Sequence, residues 1–485
     1  MMKKITGSFV ATLALFTLTG CGGEDSSINK TESLSFSTKK INNTQDKKSF
    51  NTTAGSTVVE EKCNTVTKNY SDNQAGVIDA DRLSSYIADW KSNNPNCDGR
   101  LIIIQAGPTS SGKFLKHNDE DVVVYQIPAG GSCDPSYNRH DGVANIPGAL
   151  LSGKYVDGMI STFNMDPTKD FVVFAVGKGS TSMREIVRSW WVLTYWGWPE
   201  DRLAILNGSI DYNFSASSGL SDFLVENPSM PPVKMKDGQP VIQNKQMIPI
   251  APFYSMKSLN NVKTDLQIYI NEMMCIAGKD DKSGYFIADT RGTKEYSAVK
   301  SSRTADMNCG PNLDEQCLSP IQGHIRDAVD FPYTDLLVRD DQKEDVNNDG
   351  KIDKKDASYK FKTYAELEKI YKDKGYKKGD KIVTYCRTGR KATVMALTSY
   401  SVLKYPVVMY DGSWIQWGEM ANRIDVTGSE ILDKDSPIRT DIAKYTNVIK
   451  YIDPEYTQSG AVYEINECAT DSQEIVREDK AYMKK

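Results

Sequence analysis

The sequence predicts an α/β protein of two parallel sheets, each flanked by helices. Three observations predict it. Leu101–Ile104 and Phe171–Ala175 are continuous apolar runs of the kind that a parallel sheet buries on both faces. The same order of elements recurs in the second half, with Tyr285–Asp289, Lys381–Tyr385 and Val407–Tyr410 as strands. Strands alternating with helical segments give a parallel sheet covered on both sides.

Taken in order, the first twenty residues stand apart. Lys3 and Lys4 precede the short apolar run Phe9–Leu18, the pattern of a secretory signal, and that run is too short to span a bilayer. It ends in Leu18-Thr19-Gly20-Cys21, similar to the lipobox of bacterial lipoproteins. Cys21 is therefore the expected lipidation site and membrane anchor, with an ordinary secretory signal as the alternative. Residues 22–58 are rich in Ser, Thr, Asn and Lys and cannot bury enough apolar surface to order themselves, so 21–60 reads as a tether. The first folded half spans 61–235. In it Asn145–Ala149 follows the first strand, a Gly-rich loop after Phe171–Ala175 opens a helix, and Leu203–Leu206 ends at Asn207-Gly208-Ser209. A linker, 236–255, leads to the second half, 256–440. There Gly323–Val329 forms a turn, Lys381–Tyr385 meets Cys386, and Val407–Tyr410 ends at Asp411-Gly412-Ser413. Residues 441–485 are a C-terminal extension.

Composition narrows the function. With 39% hydrophobic and 25% charged residues, the 485-residue chain is neither wholly disordered nor a multi-span membrane protein. Lys plus Arg is 59 against 64 for Asp plus Glu, so the net charge of -5 supplies no basic field for nucleic acid. Nine cysteines are many for a cytosolic chain, and export permits disulfides. Setting aside Cys21 and Cys386 leaves Cys63, Cys97, Cys133, Cys275, Cys309, Cys317 and Cys468, an odd set. Cys309–Cys317, in a Gly/Pro-rich loop, is the first choice for a bridge and Cys63–Cys97 the second; connectivity is otherwise open. His117, His140 and His324 lack zinc-ligand spacing, so transition-metal catalysis is not expected.

The second half resembles the rhodanese-like sulfurtransferases in their tandem-domain form. Cys386-Arg387-Thr388-Gly389-Arg390-Lys391 is similar to the family's six-residue active-site loop. Tyr410-Asp411-Gly412-Ser413-Trp414-Ile415-Gln416-Trp417 resembles its C-terminal signature, with Gln416 where Glu is commoner. Gly323-His324-Ile325 and Asp289-Thr290-Arg291 with Glu295-Tyr296 match earlier landmarks, whereas Arg326-Asp327 departs from the usual Pro-Gly. The resemblance is strong over roughly 280–425 and weaker over roughly 78–225. It implies two rhodanese-like domains, with His324 a turn residue and Cys386 the nucleophile.

A cysteine at a strand end, before a small polar loop and a helix, sits where backbone N–H groups converge and favour an anion. The helix dipole with Arg387, Arg390 and Lys391 would stabilise its thiolate. Such a thiolate takes the outer sulfur of thiosulfate or polysulfide, becomes a persulfide, and passes the sulfur to a thiol or cyanide. Thr388 and Gly389 complete the cradle, and Arg291 either steers the donor's anionic part or forms a surface salt bridge. The alternative for Cys386 is a structural thiol or disulfide partner. Phosphatases of the same general fold have Cys, five residues and then Arg; here Ala392 stands at that place, so the loop is too short for a phosphoryl group.

The first half lacks the apparatus. Val176 aligns with Cys386, Gly177-Lys178-Gly179-Ser180 with its loop, and Gly107 with Arg291. That half is expected to wall the active site or to dock other proteins, and Trp190-Trp191 to Trp196-Gly197-Trp198 reads as core or as a docking surface. Gly107-Pro108-Thr109-Ser110-Ser111-Gly112-Lys113 imitates a P-loop, but Phe114 stands where Ser or Thr is needed and no helix follows. Asp345-Val346-Asn347-Asn348-Asp349-Gly350-Lys351-Ile352-Asp353-Lys354-Lys355-Asp356 fits an EF-hand or dockerin-like calcium loop. Asp345, Asn347, Asp349, the Lys351 carbonyl, Asp353 and Asp356 would be the ligands of a structural calcium, with Ile352 pointing into the core; a metal-free acidic turn is the alternative.

The expected function is a lipid-anchored, exported sulfurtransferase of the cell envelope, on the periplasmic side or outer membrane, with a small sulfur anion as donor and a thiol as acceptor. The rival is a delivery protein that carries polysulfide, or a chalcogen oxyanion such as selenite, to a membrane respiratory complex.

Overall fold

The computed structural model describes most of residues 76–420, with Cys63, Leu432, residues 435–440 and residues 474–484. The gaps within 76–420 are 128–135, 143–144, 180, 233–234, 238, 241, 244–245, 248–253, 260 and 299–322. The signal, Cys21, the tether, Cys133, Cys309, Cys317 and Cys468 lie outside the described residues.

The first half begins with β1 (Val77–Ile78) and α1 (Ala80–Ala88), whose N-cap Asp79 accepts the Arg82 amide at 2.9 Å. β2 (Leu101–Ala106), β3 (Val122–Ile127), the hairpin β4 (Ser136–His140) and β5 (Asn145–Leu150), and α2 (Gly153–Thr162) follow. β6 (Phe171–Val176), α3 (Thr181–Tyr195) and β7 (Leu203–Ser209) complete it. The second half runs through β8 (Gln267–Ile268), α4 (Ile270–Gly278), β9 (Tyr285–Asp289), β10 (Val329–Asp330) and α5 (Tyr364–Asp373). β11 (Lys381–Tyr385), α6 (Arg390–Leu397), β12 (Val407–Tyr410) and α7 (Ser413–Glu419) follow, and α8 (Glu474–Met483) ends the described chain.

Two five-stranded parallel sheets result, in the orders β1-β7-β6-β2-β3 and β8-β12-β11-β9-β10. Their registers correspond as well as their orders. Val172 faces Leu203 and Phe174 faces Ile205, as Ile382 faces Val407 and Thr384 faces Met409. Val176 therefore occupies the place of Cys386, and Asn207-Gly208-Ser209 that of Asp411-Gly412-Ser413. The runs Leu101–Ala106 and Phe171–Val176 are buried at every position, as an interior parallel strand demands.

The halves meet where α3 packs along α6, the two helices that follow the corresponding loops. The contact is reciprocal. Asp411 Oδ2 accepts the Leu150 amide at 2.7 Å, and Asn207 Oδ1 accepts the Phe361 amide at 2.8 Å. Trp190, Trp191, Trp196 and Trp198 are all buried, which overturns the docking-surface reading of that stretch: these rings are core. α8 packs back on the first half through Asp479, which accepts from Arg139 at 2.7 Å and from Tyr195 at 2.8 Å. Cys63–Cys97 is a disulfide, and Cys275 is disulfide-bonded too. The Gly107–Lys113 loop runs into the two-residue strand Phe114–Leu115, and the Ser110 amide and hydroxyl bind the Asp211 carboxylate at 2.8 and 2.6 Å. A carboxylate thus fills the place a phosphate would need.

Candidate active site

Cys386 directly follows β11, an interior strand, and is 1% exposed. It is the free cysteine among the described residues. The chain turns from strand to α6 through Gly389, whose φ of 78° lies in the left-handed region that favours glycine. Ser413 draws the loop together: its Oγ accepts the amides of Cys386 at 3.3 Å and Gly389 at 3.0 Å and donates to the Tyr410 carbonyl at 3.1 Å. Ser413 holds a φ of 53°, uncommon for a residue with a Cβ and the kind of strain that collects at functional sites. The amides of Trp414 and Ile415 then donate to the carbonyls of Cys386 and Arg387 at 2.9 and 3.1 Å. The first amides of α6 have no acceptor within their own helix, so its positive end opens just after Cys386.

Lys391 Nζ lies 3.1 Å from Glu295 Oε2. Burial pushes the Glu295 carboxyl up, but Lys391, the Gly292 amide and Arg291 outweigh it and hold that carboxyl below its usual range. Arg387, Thr388 and Arg390 are half-buried in the loop. Arg291 departs from the surface salt bridge considered above, being 1% exposed. Its Nε and Nη2 hold Asp289 at 2.9 and 2.5 Å, and it lies 4.4 Å from the Trp414 ring centroid. Burial works against its charge, yet Asp289 more than compensates and the guanidinium stays ionised. One nitrogen, Nη1, is buried without a partner.

One departure from the family pattern gains a physical reason. Gln416 Nε2 donates to Asp141 of the first half at 2.7 Å, and both are buried; a Glu there would set two carboxylates face to face. Asp327 adopts φ 62°, so the Arg326-Asp327 turn takes a left-handed residue. His324 stacks on Tyr296 at 3.9 Å, as a turn residue rather than a base.

The 345–356 segment folds on itself. Asp345 accepts the amides of Asp349 and Gly350 at 3.1 and 2.7 Å, and Asp356 accepts the Asn347 and Asp353 amides at 3.2 and 2.8 Å. Lys355 holds Asp349 at 2.8 Å. Ile352 is 60% exposed, so the expectation that it points into the core fails: no apolar surface covers this loop on that side. Among the described residues no group of three or more His, Cys, Asp or Glu side chains is gathered at one point, and the carboxylates of this loop are taken up by its own amides and Lys355.

The residues not anticipated as site components are Ser413 and Arg188. Ser413 was visible in the repeated Gly-Ser turn, though not its two amide contacts. Arg188 lies in the first half, where no motif connects it with a loop some two hundred positions away.

A family model described as "Rhodanese-like domain" matches residues 275–420. The chain is 25% identical over 183 residues to the thiosulfate sulfurtransferase of Mus musculus, covering 38% of this chain and 49% of that protein. It is 24% identical over 187 residues to that of Corynebacterium glutamicum, covering 38% and 51%. The chain thus spans about half the length of these curated relatives. Among solved structures, the SseA 3-mercaptopyruvate sulfotransferase of Escherichia coli is 17% identical with a TM-score of 0.42, covering 70% of this chain and 99% of that one. Residues 275–420 are therefore similar to rhodanese-like domains, and the named relatives are sulfurtransferases.

Proposed function

We propose that the chain transfers sulfane sulfur through a persulfide on Cys386. The observation that carries this is a free, buried cysteine at an interior strand end, its loop gathered on Ser413, in a chain whose other described cysteines are oxidised. In the first step the Cys386 thiolate attacks the outer sulfur of thiosulfate. The sulfur–sulfur bond of the donor breaks, and sulfite leaves with its electron pair. In this reading the unpartnered Nη1 of Arg291 takes the donor's sulfonate oxygens, and the positive end of α6 holds the charged persulfide. In the second step cyanide or a thiolate attacks the terminal sulfur and Cys386 leaves as thiolate, so no electrons are gained or lost overall. The first half serves as a wall that packs the loop from one side.

Export and anchoring through Cys21 complete the reading. The Cys63–Cys97 disulfide supports an oxidising compartment.

With thiosulfate and cyanide, the full chain is expected to form thiocyanate over many turnovers, and Cys386→Ser to form none. Turnover retained by that variant overturns the assignment. Loading of one sulfur atom without turnover would instead mark a delivery protein.

A further inference from the structure

We infer that Arg188, carried by α3 of the first half, is a positioning residue for the Cys386 loop of the second; this rests on the sulfurtransferase reading above. Arg188 is 0% exposed. Its Nη2 donates to Asp411 Oδ1 at 2.7 Å and to the Gly148 carbonyl at 2.9 Å, and its Nη1 lies 3.7 Å from Met409 Sδ. The other oxygen of Asp411 accepts the Leu150 amide, again from the first half. Asp411 is thus held from across the interface on both oxygens. It starts the turn that presents Ser413 Oγ to the Cys386 and Gly389 amides, so its position sets theirs. Arg188 also bears on the loop directly: a Cβ on Gly389 would stand 2.8 Å from Nη1 and 3.1 Å from Asp411 Oδ1, leaving room for glycine alone.

The half without a nucleophile therefore shapes the loop that has one. Without the guanidinium, Asp411 loses its charged partner and the turn is free to relax. Near-attack geometry is sensitive to such shifts, and a displacement of about 1 Å costs on the order of 10²-fold in rate. Lysine replaces the charge but lacks the rigid guanidinium plane that sets Nη2 on Asp411 and Gly148 while Nη1 lies against Met409.

The test uses the full chain and thiosulfate, following the mass gain of one sulfur on Cys386 by rapid mixing across a range of thiosulfate concentrations. Arg188→Met should lower the maximal loading rate by roughly 10²-fold while half-saturating thiosulfate stays within about twofold, as for an interaction made in the transition state. Arg188→Lys should recover part of the rate. Arg188→Met with Asp411→Asn removes both buried charges and so keeps the fold if the single variant does not; it should stay slow with Tm close to wild type. Loading at the wild-type rate by the single variant, or by this pair if the single variant is unfolded, overturns the inference alone. A wild-type chain that never gains sulfur on Cys386 overturns the sulfurtransferase reading and this inference with it.

Discussion

Val176 and Cys386 stand at the same register position in two sheets of the same strand order, and the backbone after each has the same shape. Gly179 and Gly389 are both left-handed, at φ 69° and 78°. The Asp211 amide donates to the Gly177 carbonyl as the Ile415 amide donates to that of Arg387. The side chains diverge. Ser413 Oγ collects two loop amides, whereas the corresponding Ser209 Oγ caps its own short helix through the Tyr212 amide at 3.3 Å. Asp211, on the short helix that follows Ser209, turns a buried carboxylate to Ser110, its pKa raised by burial against the pull of Ser110. Backbone bonds and one glycine therefore hold this loop shape with or without a nucleophile, since those features keep a helix start folded in either case.

The strongest way to break this comparison is to move the nucleophile. In a Cys386→Ala background, Val176→Cys should yield no thiocyanate from thiosulfate and cyanide, because Ser209 Oγ caps its own helix instead of gathering loop amides and the neighbouring Asp211 adds a negative charge. Thiocyanate formation above that background would show that the halves differ by one side chain only.

Legibility in the sequence followed the range of the interactions. The interior strands were readable because burial on both faces leaves continuous apolar runs, and Cys386 because a strand, a polar loop and a helix start lie within a dozen residues. The Gly107–Lys113 decoy was readable for the same reason, Phe114 being local to it. What stayed hidden is non-local. Arg188 meets Asp411, Asp141 meets Gln416, and Asp479 of the last helix meets Arg139, each pair far apart in sequence. Gln416 was noticed as a departure, but its reason needed the Asp141 carboxylate beside it. Ile352 was misjudged because the EF-hand pattern supposes a covering core, and here the loop stands clear of one.

Glu295 and Lys391 sharpen the comparison at smaller scale, since Thr181 stands at the place of Lys391 in the first half. The carboxyl titrates from 4.5 in an unfolded chain and lower in the folded one. The pair therefore adds stability above about pH 4.5 and loses it as pH falls through the folded value. Being partly exposed, it is worth about 0.5 kcal/mol. Melting curves of wild type and Glu295→Gln should differ at neutral pH and converge under acid; a constant gap would remove the pair from the stability of the loop.

The smallest effect concerns the 345–356 insertion, for which the first half has no counterpart. We propose calcium there, at a cost set by the arrangement: the Lys355 ammonium must leave Asp349, and Asp356 must give up the Asn347 and Asp353 amides. At a calcium concentration equal to its dissociation constant, the folded state would gain only about 0.4 kcal/mol. Lys355→Ala removes the internal competitor and should enlarge the rise in Tm on adding calcium, and chelation should reverse it. If neither wild type nor Lys355→Ala shifts with calcium, the segment is an acidic turn closed by its own lysine.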